Sequence, residues 1–290
     1  MTETDLGQLR NATEIVERPF RFGIVGAARS GEEWLALARR VEGLGFDTLL
    51  SPDTAAGFAP TPALAAAAAV TTTMRVGTYV VVAGLRPPRV LAWEAGSLFG
   101  LSGGRFELGL GAGRPDAERD AEQLGVPLGR EGRRIGRVVA VLDAVRALEP
   151  SRRPPVLLAA GRPRMLALAG EVADAVTLGL PATARVAELG EAADAVRRAA
   201  REAGRAEPPE LAATLLAAGN AQLPPFVSQR MGLDVAALVA AGSASVLPGG
   251  PTEMADELLR RRESTGISYV TAGAHLLETL APVVERLRDR

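Results

Sequence analysis

The 290-residue chain contains no cysteine, no lysine and a single histidine, His275. Those absences exclude cysteine nucleophiles, Schiff-base and pyridoxal chemistry, a phosphate-loop lysine, and thiolate or multi-histidine metal sites. A Ser-His-Asp arrangement would depend on His275 near the C-terminus, and no G-x-S-x-G elbow exists to partner it. Carboxylates, hydroxyls, arginines and backbone remain. An enzyme built from these needs a cofactor to carry its reaction. No apolar run approaches about 18 residues, and the N-terminus lacks the basic-then-apolar pattern of a signal peptide, so the expectation is a cytoplasmic protein without a membrane span. Net charge is −1 with no long or aromatic-interleaved basic run, which predicts no nucleic-acid face.

What is present fits one large domain. Hydrophobic residues make up 47% of the chain, and a chain of this length buries roughly three quarters of its unfolded surface. Residues 1–18 are polar and aperiodic and read as an extension or an arm lying on a partner, with the domain spanning residues 19–290. The stretch around which the rest is organised is Leu101-Ser-Gly-Gly-Arg-Phe-Glu-Leu-Gly-Leu-Gly-Ala-Gly113. A turn leads into a short strand from whose C-terminal end Gly109, Gly111 and Gly113 emerge at alternate positions. Glycine in a strand marks relief of crowding or a place where another backbone or a ligand comes close. In the same strand Glu107 is expected to point into the interior and pair with an arginine such as Arg105, a structural role.

Taken in order, Phe20–Gly26 reads as a first strand, and Ser30 with Glu33 forms a capping box for a helix with Trp34, Leu37, Ala38, Val41 and Leu44 on one face. Phe46–Leu50 is a second strand, with Asp53 and Thr54 just past its end. Residues 60–73 form an alanine-rich helix, Arg75–Val82 a third strand, and residues 88–101 a third helix. Strand four is the glycine stretch. A helix over 131–148, strand five over 154–161, a short helix to Glu171 and strand six over 174–178 follow. A helix over 183–203, strand seven over 210–218, a helical region, a helix over 252–265, strand eight over 267–271 and a last helix over 276–288 complete the chain. Eight strands alternating with helices predict parallel strands with helical crossovers, either closed as a (β/α)8 barrel or open as a doubly wound sheet.

The segments Glu33–Asp47, Thr71–Thr78, Leu98–Gly113 and Gly266–Val270 together resemble the bacterial luciferase-like flavin oxidoreductases, most closely the branch dependent on the deazaflavin coenzyme F420. The resemblance implies an α/β fold, a (β/α)8 TIM-type barrel, with F420 or alternatively FMN across the C-terminal strand ends, where barrel enzymes place their sites. It implies a homodimer formed through helices 60–73 and 88–101. It also implies a bulge in the third strand with a non-proline cis peptide behind the ring, which by position falls at Tyr79-Val80. Carried over residue by residue, Asp53, Thr54 and Tyr79 orient ring atoms or relay a proton. Tyr79, Val80, Ala112, Gly113 and Arg114 lie along the ring and ribityl chain, and Ala160, Gly161 and Arg162 meet the phosphate. Backbone amides at a helix start beside a guanidinium suit a phosphate dianion independently of that resemblance.

Three departures stand out. The family's Asp-His after strand two is here Asp53-Thr54, its Arg-His-Pro after strand three is Arg86-Pro87-Pro88, and its Leu-Asp before the glycine turn is Leu98-Phe99. Both familiar histidines are lost, and the excursion before strand five is cut to Glu149–Arg153. The implied pocket is more open and depends less on imidazole proton transfer. His275 reads first as a surface or capping residue at a strand-to-helix junction, and alternatively as a replacement proton donor. The implied activity is hydride transfer between the deazaflavin and a C=C, C=N or carbonyl/alcohol group, either from reduced F420 to the unsaturated bond or from an alcohol to the oxidised form. An FMN-dependent monooxygenase and a barrel that has lost its flavin site are the alternatives.

Overall fold

A strand whose side chains alternate between a lumen and a surrounding ring of helices needs apolar residues on the helix side and small or mutually satisfied residues inside. The chain meets both needs. The computed structural model describes residues 15–114, 116–221, 223–224, 228, 232 and 234–290. The expected N-terminal arm falls mostly on residues 1–14, outside the described residues.

The strands are β1 (Arg21–Val25), β2 (Thr48–Ser51), β3 (Arg75–Thr78), β4 (Val81–Val82), β5 (Phe106–Gly111), β6 (Val156–Ala160), β7 (Ala175–Leu178), β8 (Glu210–Leu215), β9 (Ala217–Ala218), β10 (Val246–Leu247) and β11 (Ile267–Gly273). The sheet order is β3-β2-β1-β11-β8-β7-β6-β5-β4, and β3 also pairs with β5, closing the ring. Pairings around it are parallel. With β3 and β4 sharing one position, this is a closed eight-stranded parallel barrel. The open-sheet alternative is thereby excluded.

The helices between strands are α1 (Gly31–Gly43), α2 (Pro60–Ala69), α3 (Pro88–Leu101), α4 (Ala117–Gln123), α5 (Glu131–Arg146), α6 (Pro163–Val172), α7 (Val186–Glu202), α8 (Val235–Ala240), α9 (Pro251–Thr265) and α10 (Leu277–Leu287). Ser30 caps α1 by accepting from the Glu33 amide, and the Glu33 carboxylate reaches back to the Arg29 amide. The Trp34 indole donates to the Ala63 carbonyl at 2.7 Å and ties α1 to α2. No helix among the described residues is long and apolar enough to cross a membrane.

Several boundaries differ from the sequence-based expectation for identifiable reasons. The helix expected over 60–73 ends at Ala69, because the amides of Thr72, Thr73 and Met74 all donate to the Glu42 carboxylate instead of to preceding carbonyls. The helix expected from residue 183 starts at Val186, where Arg185 is the cap. The strand expected over 210–218 breaks at Leu216, after which β9 leaves the barrel to pair with β10. Strand eight runs two residues further than expected, to Gly273. Helix α4 was not anticipated at all.

Candidate functional site

The third strand position decides the shape of the C-terminal mouth. Gly77 pairs with Glu107 and Val81 with Leu110, so residues 78, 79 and 80 stand opposite 108 and 109. One residue is therefore extra, and the strand bulges there. The Tyr79-Val80 peptide within the bulge is cis, as the resemblance implied. Neighbouring strands pin it: the Thr78 hydroxyl donates to the Gly109 carbonyl at 2.7 Å, the Tyr79 amide to the Ser51 carbonyl at 2.8 Å, and the Val82 amide to Asp53 at 3.0 Å.

This bulge explains the glycines of β5. A Cβ at Gly109 would collide with the Thr78 carbonyl oxygen, and one at Gly111 would stand 2.9 Å from the Val80 side chain. The close approach inferred from the glycine pattern is thus made by another stretch of backbone and its valine. Gly113 has a different reason: its φ of +101° lies where only glycine is relaxed, and it turns the chain into α4.

Tyr79 itself points across the lumen. Its hydroxyl lies 2.5 Å from the Thr177 hydroxyl, 2.9 Å from that of Thr214 and 2.9 Å from that of Thr271, and the last two are 2.9 Å apart. A phenol has one proton to donate and two lone pairs, so three hydroxyl neighbours saturate it. These threonines sit near the C-terminal ends of β7, β8 and β11, on inward-facing registers. They were missed by the sequence reading. Their signal was an inward-facing threonine near the end of each of three strands, Thr214 opposite Thr271 and Thr177 opposite Ala212, visible only once the registers are known.

Asp53 lies 5% exposed at the end of β2. Both its oxygens take the Arg86 guanidinium, at 2.8 and 2.9 Å, and one also accepts from the Val82 amide. Burial works against the Arg86 charge, but the Asp53 bonds and charge outweigh it and raise its pKa. Thr54, half-buried, follows in the loop. Arg114 is half-buried and engaged by Asp116, Asp120 and the Asp53 carbonyl. Asp120 also accepts from the Ala55 amide, so the loops after β2 and β5 are stitched together. Arg86 thus takes a position at which the resemblance left only a missing histidine beside it.

On the next strand, Ala160 is buried and Gly161 half-buried, and Arg162 is exposed as the cap of α6. A Cβ at Gly161 would collide with the Gly179 carbonyl. The backbones of β6 and β7 therefore approach closely at the rim, beside a helix start and two arginines, Arg162 and Arg164. This donor set suits a phosphate. The hydroxyl cluster and the bulge beside it also suit a flat polar ring. The residues present fit a flavin-type cofactor.

The last element of the mouth is His275, in a 3-10 turn directly after β11. Its Nε2 lies 3.1 Å from the Leu216 carbonyl oxygen.

The opposite mouth is built from charge. Arg21 donates to Glu107 at 2.9 Å, lies 3.5 Å from Glu210, and stands over the Tyr269 ring at 3.9 Å. The Tyr269 hydroxyl donates to the other Glu107 oxygen at 2.9 Å. Burial, then the Glu107 charge, push the Tyr269 phenol well up. The expected Glu107–Arg105 pair does not form. Arg105 precedes β5, outside its pleat, and its guanidinium instead binds the carbonyls of Ala68 and Met74 and the Thr71 hydroxyl at the C-terminal end of α2, where a cation meets unpaired carbonyls. Glu107 points inward as expected, to Arg21.

Solved structures share this fold. An F420-dependent secondary alcohol dehydrogenase in complex with an F420-acetone adduct superposes with a TM-score of 0.76 at 18% identity, covering 94% of this chain and all of that one. The F420-dependent tetrahydromethanopterin reductase of Methanopyrus kandleri gives 0.71 at 17% identity over 93% and 100%. The oxygenating constituent of 3,6-diketocamphane monooxygenase from Pseudomonas putida, in complex with FMN, gives 0.70 at 16% over 93% and 96%. By sequence, the uncharacterized protein Rv0940c of Mycobacterium tuberculosis is 40% identical over 78 residues, 27% of this chain and 26% of that protein. The match thus spans about a quarter of that relative's length. The profile of the luciferase-like monooxygenase family matches residues 18–221, well over half of the sequence, and the chain belongs to that family.

Proposed function

We propose that this chain is an F420-dependent oxidoreductase, acting as a reductase on a C=C, C=N or carbonyl group of a small molecule. The observation that carries the reading is the backbone of the C-terminal mouth, where Gly109 and Gly111 let the pinned Tyr79-Val80 bulge lie against β5 and Gly161 lets the ends of β6 and β7 meet beside the start of α6. Family membership and the likeness to F420-dependent enzymes support it. When bound, the deazaflavin supplies hydride chemistry. The chain's own part is to hold and orient. Asp53 fixes the bulge through the Val82 amide and neutralises Arg86. The Tyr79 hydroxyl, with its threonines, offers ring polar atoms a hydrogen-bonding floor, and Thr54 lines the loop above. Ala112, Gly113 and Arg114 shape the passage for the ribityl chain. Ala160, Gly161 and Arg162 receive the phosphate.

A second reading, an FMN-dependent monooxygenase supplied by a separate reductase, is favoured by the likeness to the FMN-bound diketocamphane enzyme. Titration of the purified protein with F420 and separately with FMN, followed by cofactor fluorescence, discriminates between the two. Micromolar saturable binding of F420 with weak FMN binding is expected. The reverse preference selects the monooxygenase, and binding of neither refutes both.

The proposed unit is a homodimer in the cytoplasm. Val90, Trp93 and Leu101 are 40%, 65% and 82% exposed on α3, and Ala66 and Ala69 are exposed on the adjoining α2. Such an apolar surface suits a second copy. Sedimentation of a Trp93→Glu variant as monomer, against a wild-type dimer, is the expected result.

A further inference from the structure

The only histidine in the chain stands at the proposed site with one nitrogen committed and the other available. Leu216 offers a carbonyl oxygen, which accepts and never donates. The 3.1 Å bond from Nε2 therefore requires a proton on Nε2. In the neutral ring this leaves Nδ1 as a lone pair, and in the imidazolium it leaves Nδ1 as the transferable N–H. Nδ1 makes no hydrogen bond among the described residues.

The direction of Nδ1 follows from the neighbouring glycine. Along β11 the inward positions are Tyr269, Thr271 and Gly273, because Tyr269 meets Glu107 and Arg21 inside the barrel and Thr271 meets Tyr79 there. A Cβ built on Gly273 would lie 2.7 Å from His275 Nδ1 and 2.9 Å from Cε1. The Nδ1 edge therefore occupies the space over the inward side of Gly273, one inward step above Thr271 and the hydroxyl cluster. Gly273 is required there, since any side chain would displace the imidazole.

We propose that His275 is the proton-exchanging residue of the reaction, a role resting on the reduction chemistry proposed above for this mouth. In that reaction the substrate takes a hydride equivalent from the reduced deazaflavin and a proton from Nδ1–H of the imidazolium. The Nδ1–H bond breaks, its electron pair stays on the imidazole nitrogen, and a C–H, N–H or O–H bond forms on a substrate C=C, C=N or carbonyl group respectively, which gains two electrons and two hydrogens in total. The ring is left as the neutral Nε2–H tautomer, so the bond to Leu216 persists through both states and the ring need not turn. Solvent water restores the Nδ1 proton.

One histidine gives one pair of imidazole signals, which makes the test direct. With the full chain labelled by 15N-histidine, the neutral ring is expected as the Nε2–H tautomer, and the Nδ1 resonance is expected to shift when F420 is added to saturation. Modification by diethylpyrocarbonate, absent in His275→Gln, is expected to slow at least tenfold with F420 bound. An Nδ1–H tautomer overturns the inference. So does an Nδ1 resonance and a modification rate unmoved by F420 that fluorescence shows to be bound, in which case the proposed function survives alone. If fluorescence shows that neither F420 nor FMN binds, the proposed function fails and takes this role with it.

Discussion

The two mouths of the barrel solve the same problem, polar groups inside a closed sheet, in opposite ways. At the N-terminal mouth Arg21, Glu107, Glu210 and Tyr269 are joined by ion pairs and a hydrogen bond. At the C-terminal mouth the centre of the lumen holds hydroxyls, glycine backbone and one imidazole, and the ion pairs of Asp53 with Arg86 and of Arg114 with Asp120 lie in the surrounding loops. A buried charge network is costly to open and resists change, because each group depends on its partners remaining in place. Hydroxyls can exchange partners without uncovering a full charge. The end whose lumen is filled by charge is suited to closing the barrel, and the end whose lumen is lined by hydroxyls to receiving a ligand.

The largest expected effect comes from breaking the charged end. Glu107→Ala leaves Arg21 with its longer contact to Glu210 and the Tyr269 ring, and is expected to lower unfolding free energy by about 3–5 kcal/mol in urea denaturation. F420 affinity of the protein that remains folded should be unchanged, and a parallel loss of affinity would show that the two ends are not separate. At the other end, His275→Gln is expected to lower kcat about 100-fold, on a substrate found by screening with reduced F420, while cofactor Kd stays within twofold. The amide keeps a donor for Leu216 but has no proton to exchange.

Gly109→Ala tests the bulge. Forcing a methyl group against the Thr78 carbonyl is expected to cost about 1–3 kcal/mol of stability, and a shifted Tyr79-Val80 segment should weaken F420 binding at least tenfold. Retention of full affinity would mean that the bulge is not the cofactor's back wall. Tyr79→Phe removes the hub of the hydroxyl cluster. Thr214 and Thr271 still bond each other, so the expected loss is about 1 kcal/mol in thermal or urea unfolding.

The smallest effect is a pH dependence confined to the charged mouth. Burial raises the pKa of Asp47, even though its carboxylate accepts from the Phe22 amide, and burial likewise raises that of Glu210. A carboxyl that binds its proton more tightly when folded is stabilising while protonated, and that contribution is lost as pH rises through the raised value. Asp47→Asn has no charge to bury. Its stability relative to wild type should therefore be more favourable at neutral pH than below the ordinary carboxylate range. A gap independent of pH would show that Asp47 carries no such penalty.

Much of the fold was legible because its determinants are local. Alternating strands and amphipathic helices announce a parallel α/β architecture, and the Ser30–Glu33 cap fixes where α1 begins. The family resemblance added the closed barrel and the position of the cis peptide. What could not be read were consequences of register. Nothing near Arg105 in the chain shows that it turns to the end of α2 while Arg21, 86 residues from Glu107, takes its place. Thr177, Thr214 and Thr271 are unremarkable singly and become a site only when Tyr79 reaches all three.

By itself, then, the sequence determined the chemistry that is possible here. A chain with no cysteine, no lysine and one histidine must rely on hydroxyls, carboxylates, arginines and a borrowed reactive group. Only the tertiary structure decided which of these groups face one another. Glycines 109, 111, 161 and 273 look alike in sequence, yet three admit neighbouring strands of the barrel and one admits an imidazole. The reason is physical: a side chain's neighbours across a closed sheet are set by strand register and shear, which the whole barrel fixes together.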